Sequence, residues 1–197
     1  MLNEKLKDYT IILASGSPRR QEFFKDLGLD FEIRLKPIKE IYPEDLVHFE
    51  ISDYLALLKS VPFKEELKEN DILITSDTIV WLNQTAIGKP KNEQEAFDII
   101  LSLSGKTHEV ITSICFTTKT SQKIVHDITK VTFKDLSDDE IWYYIKNFNP
   151  LDKAGAYGIQ EWIGFIAVTK IEGSFFNVMG LPVHLVYKML NDIVNSK

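Results

Sequence analysis

The stretch that most constrains the fold is residues 10–20, Thr-Ile-Ile-Leu-Ala-Ser-Gly-Ser-Pro-Arg-Arg. Its apolar run over residues 11–14 is typical of a buried strand. Ser17 is a suitable N-cap, Pro18 suits the first position of a helix, and the apolar residues that follow have helical spacing. The stretch therefore predicts a strand, a tight turn and the beginning of a helix.

The first turn of this helix carries two cations, Arg19 and Arg20. Cations are disfavoured at a helix N-terminus, because the helix dipole is already positive there. Free backbone N–H groups, the hydroxyls of Ser15 and Ser17 and two guanidinium groups would together bind an anion such as phosphate. The alternative interpretation is a solvated arginine pair on an exposed turn.

A second informative stretch is residues 71–82, where Asp77 lies between two apolar runs. A buried carboxylate is costly unless it is paired, hydrogen-bonded or bound to a metal. Asp77 therefore needs a partner, and a metal ion or a phosphate-bound water would serve. The alternative is a buried aspartate that caps a turn.

A third stretch, residues 152–160, is rich in small residues and ends at Gln160. Small residues allow a ligand to approach the backbone closely, and the amide of Gln160 could read the edge of a base. An ordinary glycine-rich turn is the alternative.

Residue types alone favour a solvated surface residue at Glu40 and a helix-capping lysine at Lys59, and Gly88-Lys89 lacks the spacing of a phosphate loop.

Periodicity and capping signals predict the remaining elements. A hairpin turn is predicted at Asn83-Gln84, and N-caps are predicted at Asn92 and Ser137. The predicted helices cover 18–27, 44–60, the residues after Asn92 as far as Gly105, 138–147 and 183–193, with a short helical pattern within 163–178. The predicted strands cover 31–35, 71–82, 108–118 and 122–134, the last two forming an antiparallel pair.

Composition limits the class of protein. With 197 residues and 44% hydrophobic content, the chain suits one compact α/β domain over 1–197. A net charge of −6 argues against a general nucleic-acid binder. The single cysteine, Cys115, indicates no disulfide, and the four histidines lack the spacing of a metal site. No apolar run could span a membrane, and the first residues lack a signal core, so we expect a cytoplasmic protein.

Four stretches together resemble, in the same order, the Maf family of nucleoside triphosphate pyrophosphatases, and the resemblance covers nearly the whole chain. The matching stretches are residues 15–20, residues 76–80, residues 88–108 (through Gly-Lys-Pro, Glu-Ala, Leu-Ser-Gly and His), and residues 155–160 with 177–182. The segment Ala-Gly-Ala-Tyr-Gly-Ile-Gln resembles the branch of the family that acts on dTTP and UTP. The resemblance implies a single elongated α/β domain, with a mixed central sheet flanked by helices and two lobes around a nucleotide cleft, as in ITPase-like proteins.

The resemblance also implies roles for individual residues. Asp77 matches the catalytic proton acceptor. Arg19, Thr78 and Gln160 match positions tied to substrate choice. Glu40 matches an acidic loop residue that would help Asp77 hold a metal. The polar residues that match the lining of the phosphate cleft are Ser15, Arg20, Lys59 and Lys89.

The implied reaction is hydrolysis of dTTP or UTP, or of modified pyrimidine nucleotides, to the monophosphate and pyrophosphate. The implied cofactor is a divalent cation, Mg²⁺ or Mn²⁺. The implied partner is the nucleoside triphosphate, with no nucleic acid or membrane, and a homodimer is a candidate assembly. Two alternatives are a non-catalytic nucleotide-binding regulator of cell division and a nucleotidyltransferase. Two departures from the family stand out: Lys39, where an aspartate often precedes the glutamate, and Glu161, where glycine commonly follows Gln160.

Overall fold

The computed structural model describes residues 1–195 as a mixed β-sheet flanked by helices. Ser196 and Lys197, which fall within the predicted 1–197 domain, lie outside the described residues. The strands are β1 Thr10–Leu13, β2 Glu32–Ile33, β3 Asp71–Leu82, β4 Thr85–Ile87, β5 Thr107–Thr117, β6 Gln122–Phe133 and β7 Val168–Glu172. The helices are α1 Leu2–Leu6, α2 Pro18–Asp26, α3 Phe49–Ser60, α4 Glu93–Leu103, α5 Asp138–Phe148, α6 Trp162–Ala167, α7 Phe175–Val178 and α8 Val183–Asn195.

The strand order is β2-β1-β3-β5-β6-β7, and β4 pairs with β3 outside this path. Strand β1 is parallel to β2 and to β3, with Leu13 opposite both Ile33 and Ile74. Strand β4 is antiparallel to β3, and β7 is antiparallel to β6. The predicted α/β class with a mixed sheet is therefore confirmed.

The chain divides into two compact units. The first comprises Met1–Asp77, Thr112–His126 and the residues from Gly180 onward, and the second comprises Thr78–Ile111 and Asp127–Met179. The boundaries fall within β3, β5 and β6. The assignment of 1–197 as one domain stays a prediction.

In the first unit, the parallel strands supply buried apolar side chains that pack against a 3₁₀ helix, Val61–Glu66. Ile12 and Leu73 from the sheet meet Phe63 and Leu67. Helix α2 buries Phe23 and Phe24 and ends before Gly28, whose φ of 65° is the left-handed conformation typical of a glycine after a helix.

The second unit contains a larger apolar cluster around Ile100, Tyr144 and Tyr157. It lies between α4, α5 and residues 152–160, which we call the glycine-rich segment. Both helices begin with the predicted caps. Asn92 accepts from the backbone N–H of Glu95, and Ser137 forms a complete capping box with Glu140. These caps satisfy backbone donors that the first turn of a helix leaves without partners.

Several predicted boundaries were wrong. Helix α3 begins at Phe49 rather than at residue 44, because His48 has φ 56° and ψ −129°, which a helix cannot accommodate. Strand β2 has only two residues, both exposed, instead of residues 31–35. Strand β7 was missed because its residues 169–172 are exposed and lack apolar alternation, and α1 was not predicted.

Within residues 1–195, no helix is both long and apolar enough to cross a membrane.

Candidate active site

Asp77 lies within β3, on a strand whose side chains are almost all buried. Side chains two residues apart on a strand share a face, and on this face Thr75 Oγ1 donates a hydrogen bond to the carbonyl of Ala56 in α3 at 2.6 Å. Lys59, one helical turn further along α3, extends its ammonium to Asp77 Oδ1 at 2.5 Å. The partner that Asp77 requires is therefore Lys59 in this structure.

Lys59 contacts a second carboxylate, Glu40 Oε1, at 3.1 Å. Asp77 is 7% exposed, and this burial raises the pKa of its carboxyl group, while Lys59 and then Arg20 oppose the rise. A carboxylate with a raised pKa is a stronger proton acceptor than an ordinary aspartate. The arrangement therefore suits a general base that is held in place by a cation.

The N-terminus of α2 follows β1 directly, as predicted. Ser17 is the N-cap residue, although its side chain makes no capping hydrogen bond. Instead, the backbone N–H of Ser17 donates to Ser15 Oγ at 3.3 Å, and Gln21 Nε2 donates to the Ser15 carbonyl at 3.2 Å. Ser15 is buried and fixes the turn that precedes the helix.

The two arginines of the first turn are not equivalent. Arg20 donates from Nε to the carbonyl of Gly180 and from Nη1 to the carbonyl of Ser76, each at 2.8 Å. Its burial lowers the pKa of the guanidinium to about 10, and the charge of Asp77 opposes this shift. Arg20 thus joins the helix start to β3 and to the turn before α8, and Arg19 and Glu40 lie within electrostatic reach of it.

Two carboxylates of this cluster have the chemistry of ligands for a divalent cation. Asp77 and Glu40 each direct one carboxylate oxygen to the same ammonium group, so a cation already lies between them. Among residues 1–195, no group of three or more His, Cys, Asp or Glu side chains could hold a metal. Because Mg²⁺ commonly uses one or two carboxylates together with water and substrate phosphates, two carboxylates fit a metal that binds with its substrate.

The remaining predicted site residues, Thr78, Lys89 and Gln160, belong to the second unit. Thr78 is half-buried on β3, and Lys89 is exposed in the loop after β4. The backbone N–H of Gly155 donates to the carbonyl of Gly88 at 3.0 Å, so the glycine-rich segment is hydrogen-bonded to the residue beside Lys89.

Gly155 has a φ of 72°, and a Cβ atom there would lie 2.6 Å from the Val80 side chain. Further along the segment, Tyr157 OH lies 2.7 Å from His108 Nε2. Burial lowers the pKa of His108 to about 4, so the imidazole is neutral at pH 7. These contacts fix the backbone that leads to Gln160.

Thus, of the predicted residues, Arg19, Arg20, Glu40, Lys59 and Asp77 form one electrostatic cluster in the first unit. Ser15 supports the helix start beside it.

Two polar groups were not found by the sequence reasoning. His126 Nδ1 lies 3.2 Å from both carboxylate oxygens of Asp53, which also accepts from Ser113 Oγ at 2.6 Å. In the second unit, Glu161 contacts Tyr144 and Lys153. The members of the first group are at least 60 residues from Asp53 along the chain. Those of the second lie within 17 positions but on separate elements, so no local spacing revealed either group.

Comparison with known proteins agrees with this fold. A family model described as Maf-like protein matches residues 10–193. The chain therefore belongs to the Maf family.

Individual relatives match over nearly their whole length. A Flavobacterium johnsoniae protein named dTTP/UTP pyrophosphatase is 66% identical, with 98% of this chain and 100% of the relative covered. A Christiangramia forsetii protein of the same name is 57% identical, with both chains fully covered.

Among solved structures, the Staphylococcus aureus Ham1 protein superposes with a TM-score of 0.56 at 17% identity, covering 93% of this chain and 98% of that one. At this identity, the likeness supports the fold alone.

Proposed function

We propose that this chain is a nucleoside triphosphate pyrophosphatase that hydrolyses dTTP and UTP to the monophosphate and pyrophosphate. The observation that carries the proposal is the buried Asp77 carboxylate held at 2.5 Å by Lys59, with Arg20 and the start of α2 within electrostatic reach. Relatives up to 66% identical that are named for this activity support it.

In this proposal the cations of the site bind the triphosphate. A triphosphate has about four negative charges near pH 7, and its hydrolysis needs positioning and charge neutralisation more than covalent catalysis. Arg19 at the helix start and the exposed Lys89 meet the phosphates directly. Arg20, whose guanidinium donates to two backbone carbonyls, supplies positive charge from a fixed position. Ser15 keeps the backbone N–H groups of the turn in place.

Asp77 is the proposed general base. It accepts a proton from the water that attacks the α-phosphorus, and the bond from that phosphorus to the bridging oxygen breaks, so that pyrophosphate leaves. Lys59 favours the ionised form of Asp77, opposing the rise in its pKa, and its hydrogen bond aligns the carboxylate. The adjacent Thr78 is proposed to contact the substrate.

A divalent cation, Mg²⁺ or Mn²⁺, is the proposed cofactor, and Asp77 and Glu40 are its proposed ligands. Such a cation, when bound, would neutralise phosphate charge and lower the pKa of a bound water. Lys59 must then move away from one or both carboxylates. Its long side chain allows this, and the triphosphate is a suitable new partner for its ammonium.

Gln160 is the proposed base-reading residue. Its amide offers one acceptor and one donor, which match the N3–H and a carbonyl of thymine or uracil. Cytosine presents an amino group and an unprotonated N3 instead, so a fixed amide leaves a polar group without a partner. Such a group costs about 1–3 kcal/mol when buried, enough for roughly tenfold discrimination.

The test is a panel of dTTP, UTP, CTP, GTP and methylated GTP, assayed for pyrophosphate release with and without Mg²⁺ or Mn²⁺. We expect the highest kcat/KM for dTTP and UTP. Equal rates on all five, or a purine preference, would contradict the specificity. Binding without turnover of any nucleotide would contradict the activity and favour a non-catalytic regulator instead. A homodimer and a cytoplasmic location stay predictions.

A further inference from the structure

Gln160 lies inside a tight turn of the second unit. The backbone N–H of Glu161 donates to the carbonyl of Gly158 at 2.9 Å, so Ile159 and Gln160 are the two central residues of a four-residue turn. Gln160 Oε1 is buried and has no hydrogen-bond partner among residues 1–195. A buried acceptor without a partner is costly, so the turn holds Gln160 in a position that a ligand donor would satisfy.

Both ends of this turn attach to one tyrosine hydroxyl. Tyr144 OH donates to Glu161 Oε2 and accepts from the backbone N–H of Gly158 at 3.0 Å. The other carboxylate oxygen, Oε1, lies 3.2 Å from Lys153 Nζ. We call these three side chains, Tyr144, Lys153 and Glu161, the Glu161 clamp.

The Glu161 clamp is well placed to fix the turn. Tyr144 is fully buried on α5, and Lys153 is 7% exposed. A side chain packed on all sides has few other conformations, and a carboxylate bound at both oxygens has little freedom to rotate. The carboxylate also covers Gly158, where a Cβ atom would lie 2.8 Å from Glu161 Cδ.

A purely structural role for the Glu161 side chain would be to cap α6. Glu161 is the N-cap residue of that helix, but its side chain makes no capping hydrogen bond. Its oxygens instead contact Tyr144 and Lys153, which precede the turn in the chain. The carboxylate therefore holds the turn that carries Gln160, and not the helix that follows it.

We propose that Glu161 is a positioning residue for substrate choice, which fixes the amide of Gln160 through the Glu161 clamp. This inference rests on the proposed function, in which Gln160 pairs with the pyrimidine. The Glu161 clamp fixes the amide of Gln160, and a fixed amide discriminates between uracil and cytosine. If the turn were free to move, the amide could rotate to pair with cytosine as well.

The experiment compares Glu161→Ala, Glu161→Gln and Tyr144→Phe with the parent. Glu93→Gln is the matched control, because Glu93 pairs with Lys146 on the exposed surface of the same unit. We would measure kcat and KM for UTP and CTP, with thermal unfolding alongside. Calorimetric binding of non-hydrolysable analogues of both nucleotides adds a readout that is independent of turnover.

We expect Glu161→Ala to reduce the UTP-to-CTP ratio of kcat/KM by about tenfold, mainly through a higher KM for UTP. Tyr144→Phe should also reduce the UTP-to-CTP ratio of kcat/KM. Glu161→Gln should recover part of the ratio, because it still accepts from Tyr144, and Glu93→Gln should leave it unchanged. In a Gln160→Ala background, Glu161→Ala should change the ratio no further.

A uniform loss for UTP and CTP in both Glu161→Ala and Tyr144→Phe, with an unchanged ratio in activity and in analogue binding, would overturn the positioning role. The proposed function would survive that result. If Gln160→Ala leaves the parental ratio unchanged, Gln160 does not read the base and the positioning role fails with it. If the parent hydrolyses no nucleotide, the proposed function fails, and the analogue-binding ratios alone decide the role of Glu161.

Discussion

At the scale of single residues, the candidate site depends on one buried carboxylate and one ammonium. Asp77 is buried on β3 beside α3, and the ammonium of Lys59 on α3 contacts its carboxylate at 2.5 Å. A buried carboxylate is retained at such a position only with a charged or hydrogen-bonding partner. Three predictions concern these residues and their neighbour Arg20.

Asp77→Asn should still bind dTTP but lose hydrolysis by about 100-fold or more, because the amide keeps the shape and cannot accept the proton. Calorimetric binding of a non-hydrolysable analogue and pyrophosphate release would be measured on the same preparation. Asp98→Asn, on exposed α4 surface, is the control. Parental turnover in Asp77→Asn would exclude the assignment of the base.

The pH profile of kcat/KM should have an acid limb, because Asp77 must be ionised to act as a base. Burial raises its pKa above the ordinary value, so activity is present above that raised pKa and is lost as the pH falls through it. Lys59→Met removes an opposing positive charge and should move the limb to higher pH. Lys64→Met, on an exposed lysine, should not. An unmoved limb in Lys59→Met would show that Asp77 does not control the profile.

Arg20→Ala should lower the free energy of unfolding by about 2–3 kcal/mol, because it leaves the carbonyls of Ser76 and Gly180 without their charged donor. Lys25→Ala on the same helix removes only an exposed ion pair with Glu22 and should cost less than about 1 kcal/mol. Urea unfolding of both variants is the measurement. Equal stabilities would mean that Arg20 has no such structural role.

At the scale of elements, the sequence predicted what local chemistry determines. The caps at Asn92 and Ser137 and the strand over 71–82 are all confirmed. The start of α3 was not predictable, because the positive φ of His48 has no local signal. Strand β7 was not predicted, because it is a strand through its pairing with β6 and has no apolar alternation.

The hairpin between β3 and β4 gives a prediction at this scale. Asn83 and Gln84 connect Leu82 to Thr85 with φ of 49° and 61°, as in a type I′ turn. Gln84→Gly should stabilise the protein by about 0.5–1 kcal/mol, because glycine adopts this conformation without strain. Lys188→Gly on α8 should instead destabilise by about 1 kcal/mol. Thermal unfolding measures both, and a loss of stability in Gln84→Gly would contradict the turn assignment.

At the scale of the whole molecule, the order of the motifs along the chain was enough to identify the family, and the class of fold followed. The sequence did not predict that Lys59 is the partner of Asp77. Lys59 is on a different element, and a single lysine at the end of a helix is equally typical of a helix cap. The Glu161 clamp was equally hidden, since residues 144 and 161 meet only in the folded second unit.

Chelation is the prediction for the molecule as a whole. Dialysis against EDTA should abolish pyrophosphate release, and added Mg²⁺ or Mn²⁺ should restore it, because the Asp77 and Glu40 carboxylates repel a triphosphate strongly unless a divalent cation binds with it. Circular dichroism should stay unchanged, because the ammonium of Lys59 can pair with both carboxylates. Full activity after exhaustive chelation would exclude the metal.

The contacts of Arg20 also have a consequence for biosynthesis. They join residues 20, 76 and 180, so the first unit gathers segments from both ends of the chain. Contacts between residues so far apart in the sequence carry a larger loop-closure entropy and slow folding. During synthesis on the ribosome, Arg20 can bind both carbonyls only after nearly the whole polypeptide has emerged. A nascent chain that stalls before residue 180 would therefore contain an incomplete candidate site.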